Sequence, residues 1–164
     1  MKYAALFFLS LFIIQPTYAQ NLSAHVHGSV HLDIATDKNQ LLVMLKSPSE
    51  SFVGFEYKAK TKKEKEKINK AKTEWTKNLL NYLGKNLSDC KISSSTWKQK
   101  FEGKSHSTIL AEAYIDCKKK VAGRELNISF SSNYPNIKAI HTQLLRENGS
   151  VINKKFAKDF KIKL

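Results

Sequence analysis

HGSVHLDIATDKNQLLVMLKSP, residues 27–48, is the stretch that decides the fold. Along residues 27–36 Val30, Leu32 and Ile34 share one face, while His27, Ser29, His31 and Asp33 share the other, with His25 joining them if the strand begins early. Asp37-Lys38-Asn39 reads as a turn, and residues 40–47 as a second strand. Leu41-Leu42-Val43-Met44-Leu45 is apolar on both faces, the mark of a central strand covered on each side, and Pro48 ends it because proline has no N–H to give to a ladder. The stretch is therefore expected to be a β-hairpin.

Outward from this hairpin the period changes once and then changes back. Over residues 58–84 Ile68, Ala71, Trp75, Leu79, Tyr82 and Leu83 recur at spacings of three and four, which predicts one long helix with Gly84 as its stop. The first half of that span is nearly all charge, either a solvated helix start or frayed chain. From Cys90 the period returns to two. His106–Cys117 carries Ile109, Ala111, Ala113, Ile115 and Cys117 on one face, residues 125–131 bury Leu126, Ile128 and Phe130, and residues 138–146 turn Ile140 and Leu144 inward with His141 outward. Asn148-Gly149 signals a further hairpin, and residues 151–164 supply one or two last strands. The expected fold class is α+β: an antiparallel sheet built from hairpins at both ends of the chain, with one long inserted helix.

The 164 residues are 41% hydrophobic and 26% charged, a length that suits one core and is short for two. Formal net charge is +14, from 28 Lys and Arg against 14 Asp and Glu, so the surface favours anions without specifying one. Residues 1–19 read as a secretory leader. Lys2 gives a positive start, residues 4–14 an apolar run, and Gln15-Pro16-Thr17-Tyr18-Ala19 a cleavage region, with the cut expected after Ala19. The run falls short of the roughly 20 residues of a bilayer span, and no cysteine follows it to accept a lipid. Residues 20–164 are then expected to form a single exported unit with no transmembrane helix; losing Lys2 lowers its charge by one, to +13. In an exported chain the pair Cys90 and Cys117 reads as a disulfide, worth roughly 3 kcal/mol by loop closure. A thiolate metal site or a reactive thiol is the alternative, though neither cysteine lies in a Cys-x-x-Cys.

No Gly-x-Ser-x-Gly, phosphate-cradling Gly-rich loop or His-Glu-x-x-His occurs, and the carboxylates are scattered, so no enzyme is expected. The histidines carry more. His25, His27 and His31 fall at odd positions within seven residues, and strand residues two apart stand roughly 6.5 Å apart on one face, close enough for two imidazoles to share an ion. His25-Val26-His27 is a chelating pair for Zn²⁺ or Cu²⁺, and His31 or Asp33 can add a third ligand. The competing reading is a polar strand face that happens to be rich in histidine. The lysines at 62, 63, 65, 67, 70 and 72 read as a solvated helix face, or as a surface for phosphate-rich headgroups or cell-wall anions. Nucleic acid is not expected as a partner of an exported chain.

Ala24-His25-Val26-His27-Gly28-Ser29-Val30-His31-Leu32-Asp33-Ile34-Ala35, then residues 42–47 with Pro48, then Phe52-Val53-Gly54-Phe55-Glu56, resemble the start of the ZrgA family of periplasmic zinc-uptake proteins. That family opens on a His-x-His-Gly hairpin followed by Ser-Pro-Ala and Gly-Phe-Glu-His. His106–Cys117 is similar to its His-led strand ending in Cys, and Tyr134-Pro135 and Gln143 match its closing strands. The resemblance implies a non-enzymatic periplasmic protein that binds zinc and helps supply it to an inner-membrane metal-uptake transporter, with Glu56 and His106 joining His25, His27, His31 and Asp33 as candidate ligands. Two departures stand out. Tyr57 replaces the family's His, and the His/Asp/Glu tract before the His-led strand is replaced by basic Lys98-Gln99-Lys100-Phe101-Glu102-Gly103-Lys104-Ser105, which implies low capacity. The alternative function is a basic envelope protein that docks on an anionic surface or a partner protein.

Overall fold

A computed structural model describes residues 26–164, so the expected leader and His25 lie outside the described residues. β1 (Ser29–Asp37) and β2 (Gln40–Pro48) form the expected antiparallel hairpin, with Ile34 opposite Val43. A one-turn helix α1 (Glu50–Val53) follows, then α2 (Lys62–Leu83), β3 (Cys90–Glu102) and β4 (His106–Cys117). β5 (Glu125–Ile128), the short helix α3 (Phe130–Asn133), β6 (Ala139–Leu145), β7 (Val151–Phe156) and β8 (Phe160–Lys163) complete the order. Six strands make one sheet in the order β3-β4-β2-β1-β6-β7, and β5 pairs with β8 in a separate ribbon.

The fold is α+β with one long helix, and β2 is central as expected but covered on one face only: Leu41, Val43 and Leu45 are buried, while Leu42 and Met44 are half-buried on the open face. The sheet is mixed, however. β1 and β6 run parallel, with His31 opposite His141, while every other adjacent pair is antiparallel. A parallel neighbour is reached by a long crossover, here one that contains α2 and the four strands β2 to β5, so no local turn signal announces it. Residues 129–131 also depart from the expected strand: the ladder stops at Ile128 and Phe130 opens α3, whose first-turn N–H groups at Ser131 and Ser132 donate to the Asp159 carboxylate.

α2 begins at Lys62, four residues later than the charge run predicts, because Thr61 and Glu64 form a capping box there. The Glu64 N–H donates to Thr61 Oγ1 (3.2 Å), and Glu64 Oε2 accepts from the Thr61 N–H (2.9 Å) and the Lys60 N–H (2.8 Å). These bonds, with a further one from the Tyr57 hydroxyl, hold the Glu64 carboxyl down at about 2. The charged half is thus a solvated helix start, with Lys62, Lys63, Lys65, Lys67, Lys70 and Lys72 all exposed. Its other half buries Ala71, Trp75, Leu79, Tyr82 and Leu83.

The core lies between one face of the six-stranded sheet and a second layer. Leu32, Ile34, Val43, Ile115, Ile140 and Leu144 meet Trp75, Leu79 and Leu83 of α2 and Leu126, Ile128, Phe160 and Ile162 of the ribbon in one continuous cluster. The opposite face of the sheet is open, with Leu110, Tyr114, Leu145 and Val151 exposed. Cys90 and Cys117 stand in register across β3 and β4 and are joined by a disulfide. Beside it Arg124 grips Asp89 through both oxygens, which holds the Asp89 carboxyl at about 2.

Candidate metal centre

The start of β1, the end of β2 and the start of β4 meet at one end of the sheet, and this is where the polar chemistry gathers. After Pro48 closes β2, Ser49 starts α1, which places Glu50 in the first turn. Gly54 ends that turn at φ +85°, its N–H donating to the Glu50 carbonyl. A left-handed residue here needs glycine, because a Cβ clashes with the following carbonyl. The chain reverses, so Phe55 packs with Val53 and Ala71 while Glu56 turns inward, only 6% exposed. Tyr57 points away and donates to Glu64 Oε1 at 2.7 Å.

On the facing side, His27 sits in a turn, outside β1. Gly28 has φ +76°, and its carbonyl accepts from the N–H groups of Lys138 (2.8 Å) and Ala139 (3.1 Å). A Cβ at this position would stand 2.7 Å from the Asn136 carbonyl oxygen, so only glycine lets the two segments close together. The kink takes His27 off the strand's alternation and swings it towards Glu50. The shared face predicted for His27, His31 and Asp33 therefore starts at Ser29 and excludes His27.

Four side chains converge. His27 Nδ1 lies 2.8 Å from Glu50 Oε2 and 3.8 Å from Glu56 Oε1, and His106 Nδ1 lies 2.8 Å from Glu56 Oε2. His27, Glu50 and Glu56 each offer a ligand atom within 4.8 Å of the others. A zinc tetrahedron with arms of about 2.1 Å has edges of about 3.4 Å, which the 2.8 and 3.8 Å separations bracket. Glu56 Oε1 is buried and has no hydrogen-bond partner. Such an orphaned carboxylate oxygen is costly in itself, and a cation between it and His27 would satisfy it.

Behind these groups lies a polar frame. The Ser107 hydroxyl donates to the Glu56 carbonyl (2.5 Å), Gln99 Nε2 donates to Ser107 Oγ (3.1 Å) and to Ser49 Oγ (3.2 Å), and the Ser49 N–H donates to the Ser107 carbonyl (2.9 Å). The loop that carries Glu50 and Glu56 is thereby tied to the strand that carries His106. Second partners of this kind fix the orientation of ligands before the ion arrives.

Of the residues singled out in the sequence, His27, Glu56 and His106 come together, His25 lies outside the described residues, and His31 and Asp33 line a separate cleft on the open face with His141. In that cleft burial, then His31 and Lys155, push the His141 imidazole below its ordinary value. Glu50 is the member of this cluster that the sequence reading missed. The signal was Ser-Glu directly after a strand-ending proline, a pattern that starts a helix and turns a first-turn carboxylate back to the strand end.

The model of the ZrgA family zinc uptake protein matches residues 24–161. The chain belongs to the ZrgA family. No curated protein matches it. The match spans His27, Glu50, Glu56 and His106, so the convergence of imidazole and carboxylate lies within the part shared with a zinc-uptake family. Among the described residues no helix is long and apolar enough to cross a membrane.

Proposed function

We propose that this ZrgA-family chain is an exported, periplasmic zinc-binding protein that carries zinc as cargo for an inner-membrane uptake transporter and catalyses no reaction. The leader is removed after Ala19, and residues 20–164 act as one unit. His27, Glu50, Glu56 and His106 hold the ion, and His25 is placed by sequence to join them. The observation that carries this reading is the buried Glu56 carboxylate, with one oxygen on His106 and the other unpartnered 3.8 Å from His27. Imidazole nitrogen with carboxylate oxygen suits Zn²⁺. Capacity is low, because the segment before β4 is basic where relatives carry His, Asp and Glu. The general positive charge also makes affinity weaker than a neutral surface would give.

Calorimetric titration of residues 20–164 with Zn²⁺ tests it, beside His27→Ala and His106→Ala variants. Wild type should take up zinc, and each variant should bind at least tenfold more weakly. Equal uptake by all three, or none by any, would favour the second reading, a basic envelope protein that docks through the exposed lysines of α2 on an anionic surface.

A further inference from the structure

We propose that His31 and His141 form a second divalent-metal site on the open face of the sheet, separate from the first and completed by Asp33. The two histidines are directly opposite in the parallel β1–β6 ladder, on the face that points away from the core. Their rings are stacked with centroids 5.0 Å apart and planes 20° from parallel. Neighbouring strands are spaced about 4.8 Å apart, so the stacked imidazoles present like edges side by side, and rotation of each ring towards the other would bring two nitrogens within reach of one ion with arms of about 2.1 Å.

Asp33 stands two residues along β1 on the same face, opposite Gln143, and lines the same cleft of about 490 Å³. Among the described residues lining the cleft it is the one acidic side chain, and a change of rotamer would bring its carboxylate to the histidine pair as an oxygen ligand. Gln143 donates to Asn153 at 3.1 Å, which closes the adjoining row with amides and leaves that side polar. The cations flanking the pair are Lys46, opposite His31 on β2, and Lys155, opposite His141 on β7. Both lie on flexible stems that can swing aside, yet their field makes this site weaker than the first. Two imidazoles and one carboxylate select a borderline transition ion such as Zn²⁺ over Mg²⁺ or Ca²⁺, which prefer oxygen alone. The remaining positions are left to water, as in an open site that exchanges its ion.

The test uses residues 20–164 in a Glu56→Gln, His106→Ala background that silences the first site, titrated with ZnCl₂ while the histidine ring signals are followed by NMR. His31 and His141 signals should shift or broaden together and saturate at one ion per chain. Adding His31→Asn and His141→Asn, both on the open face and of little cost to folding, should remove that uptake and leave the melting temperature in chelator unchanged. In an otherwise wild-type chain the same pair of asparagines should lower stoichiometry from two to one and spare the tighter event. Undisturbed ring signals in the silenced background, or a stoichiometry of one that the asparagines do not alter, would overturn the proposal. Loss of the tighter event alone would count against the first site and leave this one standing.

Discussion

Glu56→Gln keeps the shape of the side chain and removes its charge, and it should move two quantities in opposite directions. Glu56 Oε1 is buried without a hydrogen-bond partner, which in chelator costs about 1–3 kcal/mol of desolvation. Glutamine retains a carbonyl for His106 and brings N–H donors to the side where Glu50 Oε2 and His27 lie. For a chain of this size about 1 kcal/mol moves the melting temperature by about 3–4 °C, so the variant in chelator should melt roughly 3–12 °C above wild type. With free zinc at a hundred times Kd, wild type should gain about 2.7 kcal/mol, which is about 8–10 °C. The variant offers a neutral amide where the ion needs an anion, and at that zinc concentration it should gain less than about 2 °C. Differential scanning calorimetry of both proteins, in chelator and in zinc, reads all four values. A variant that melts below wild type in chelator, or that responds to zinc as wild type does, would refute the assignment of the orphaned oxygen to an ion.

Asp89 and Glu64 both have carboxyls held at about 2 in the folded chain, below the unfolded values of about 3.9 and 4.3. A depressed carboxylate stabilises above its unfolded value and loses that contribution as pH falls through the folded one, so Asp89→Asn should flatten the fall of melting temperature between about pH 4 and pH 2. Curves that run parallel through that window would contradict the Arg124 clamp as its cause. The Cys90→Ser, Cys117→Ser double variant should lose about 3 kcal/mol in urea unfolding, because the disulfide closes a separation of 27 residues. Its zinc affinity should be unchanged, since Cys117 and His106 lie at opposite ends of β4. A tenfold change in zinc affinity would show that the two ends communicate.

Where the chain repeats with a clear period, the structure could be read in advance. The hairpin of β1 and β2, the buried stripe from Ala71 to Leu83, the strand His106–Cys117 and the turn at Asn148-Gly149 are all local patterns, and all are present. What escaped is set by distant partners. The parallel neighbour of β1 depends on a crossover, the early stop at Ile128 on Asp159 capping α3, and the late start of α2 on a capping box inside a run of lysines. The site divides the same way. His27, Glu56 and His106 could be named from residue type and resemblance, but the assumption that odd positions share a face fails at Gly28, whose positive φ is required by the approach of Asn136. His141 has nothing in its own stretch to mark it; only the register with His31 gives it a partner.

β4 is pinned at both ends by different means. Cys117 is bonded to β3 at the open end of the β3–β4 hairpin, and His106 stands just past its turn, beside Glu56. With the proposed ion on Glu56 and His106, both ends of this hairpin would be held, one covalently and one by coordination, and fraying from the turn end would require release of the ion. An unloaded chain can fray at the turn end alone. Under the proposed cargo role, the ion could leave by local peeling of one strand tip, with the covalent end keeping the register needed to re-form the cradle.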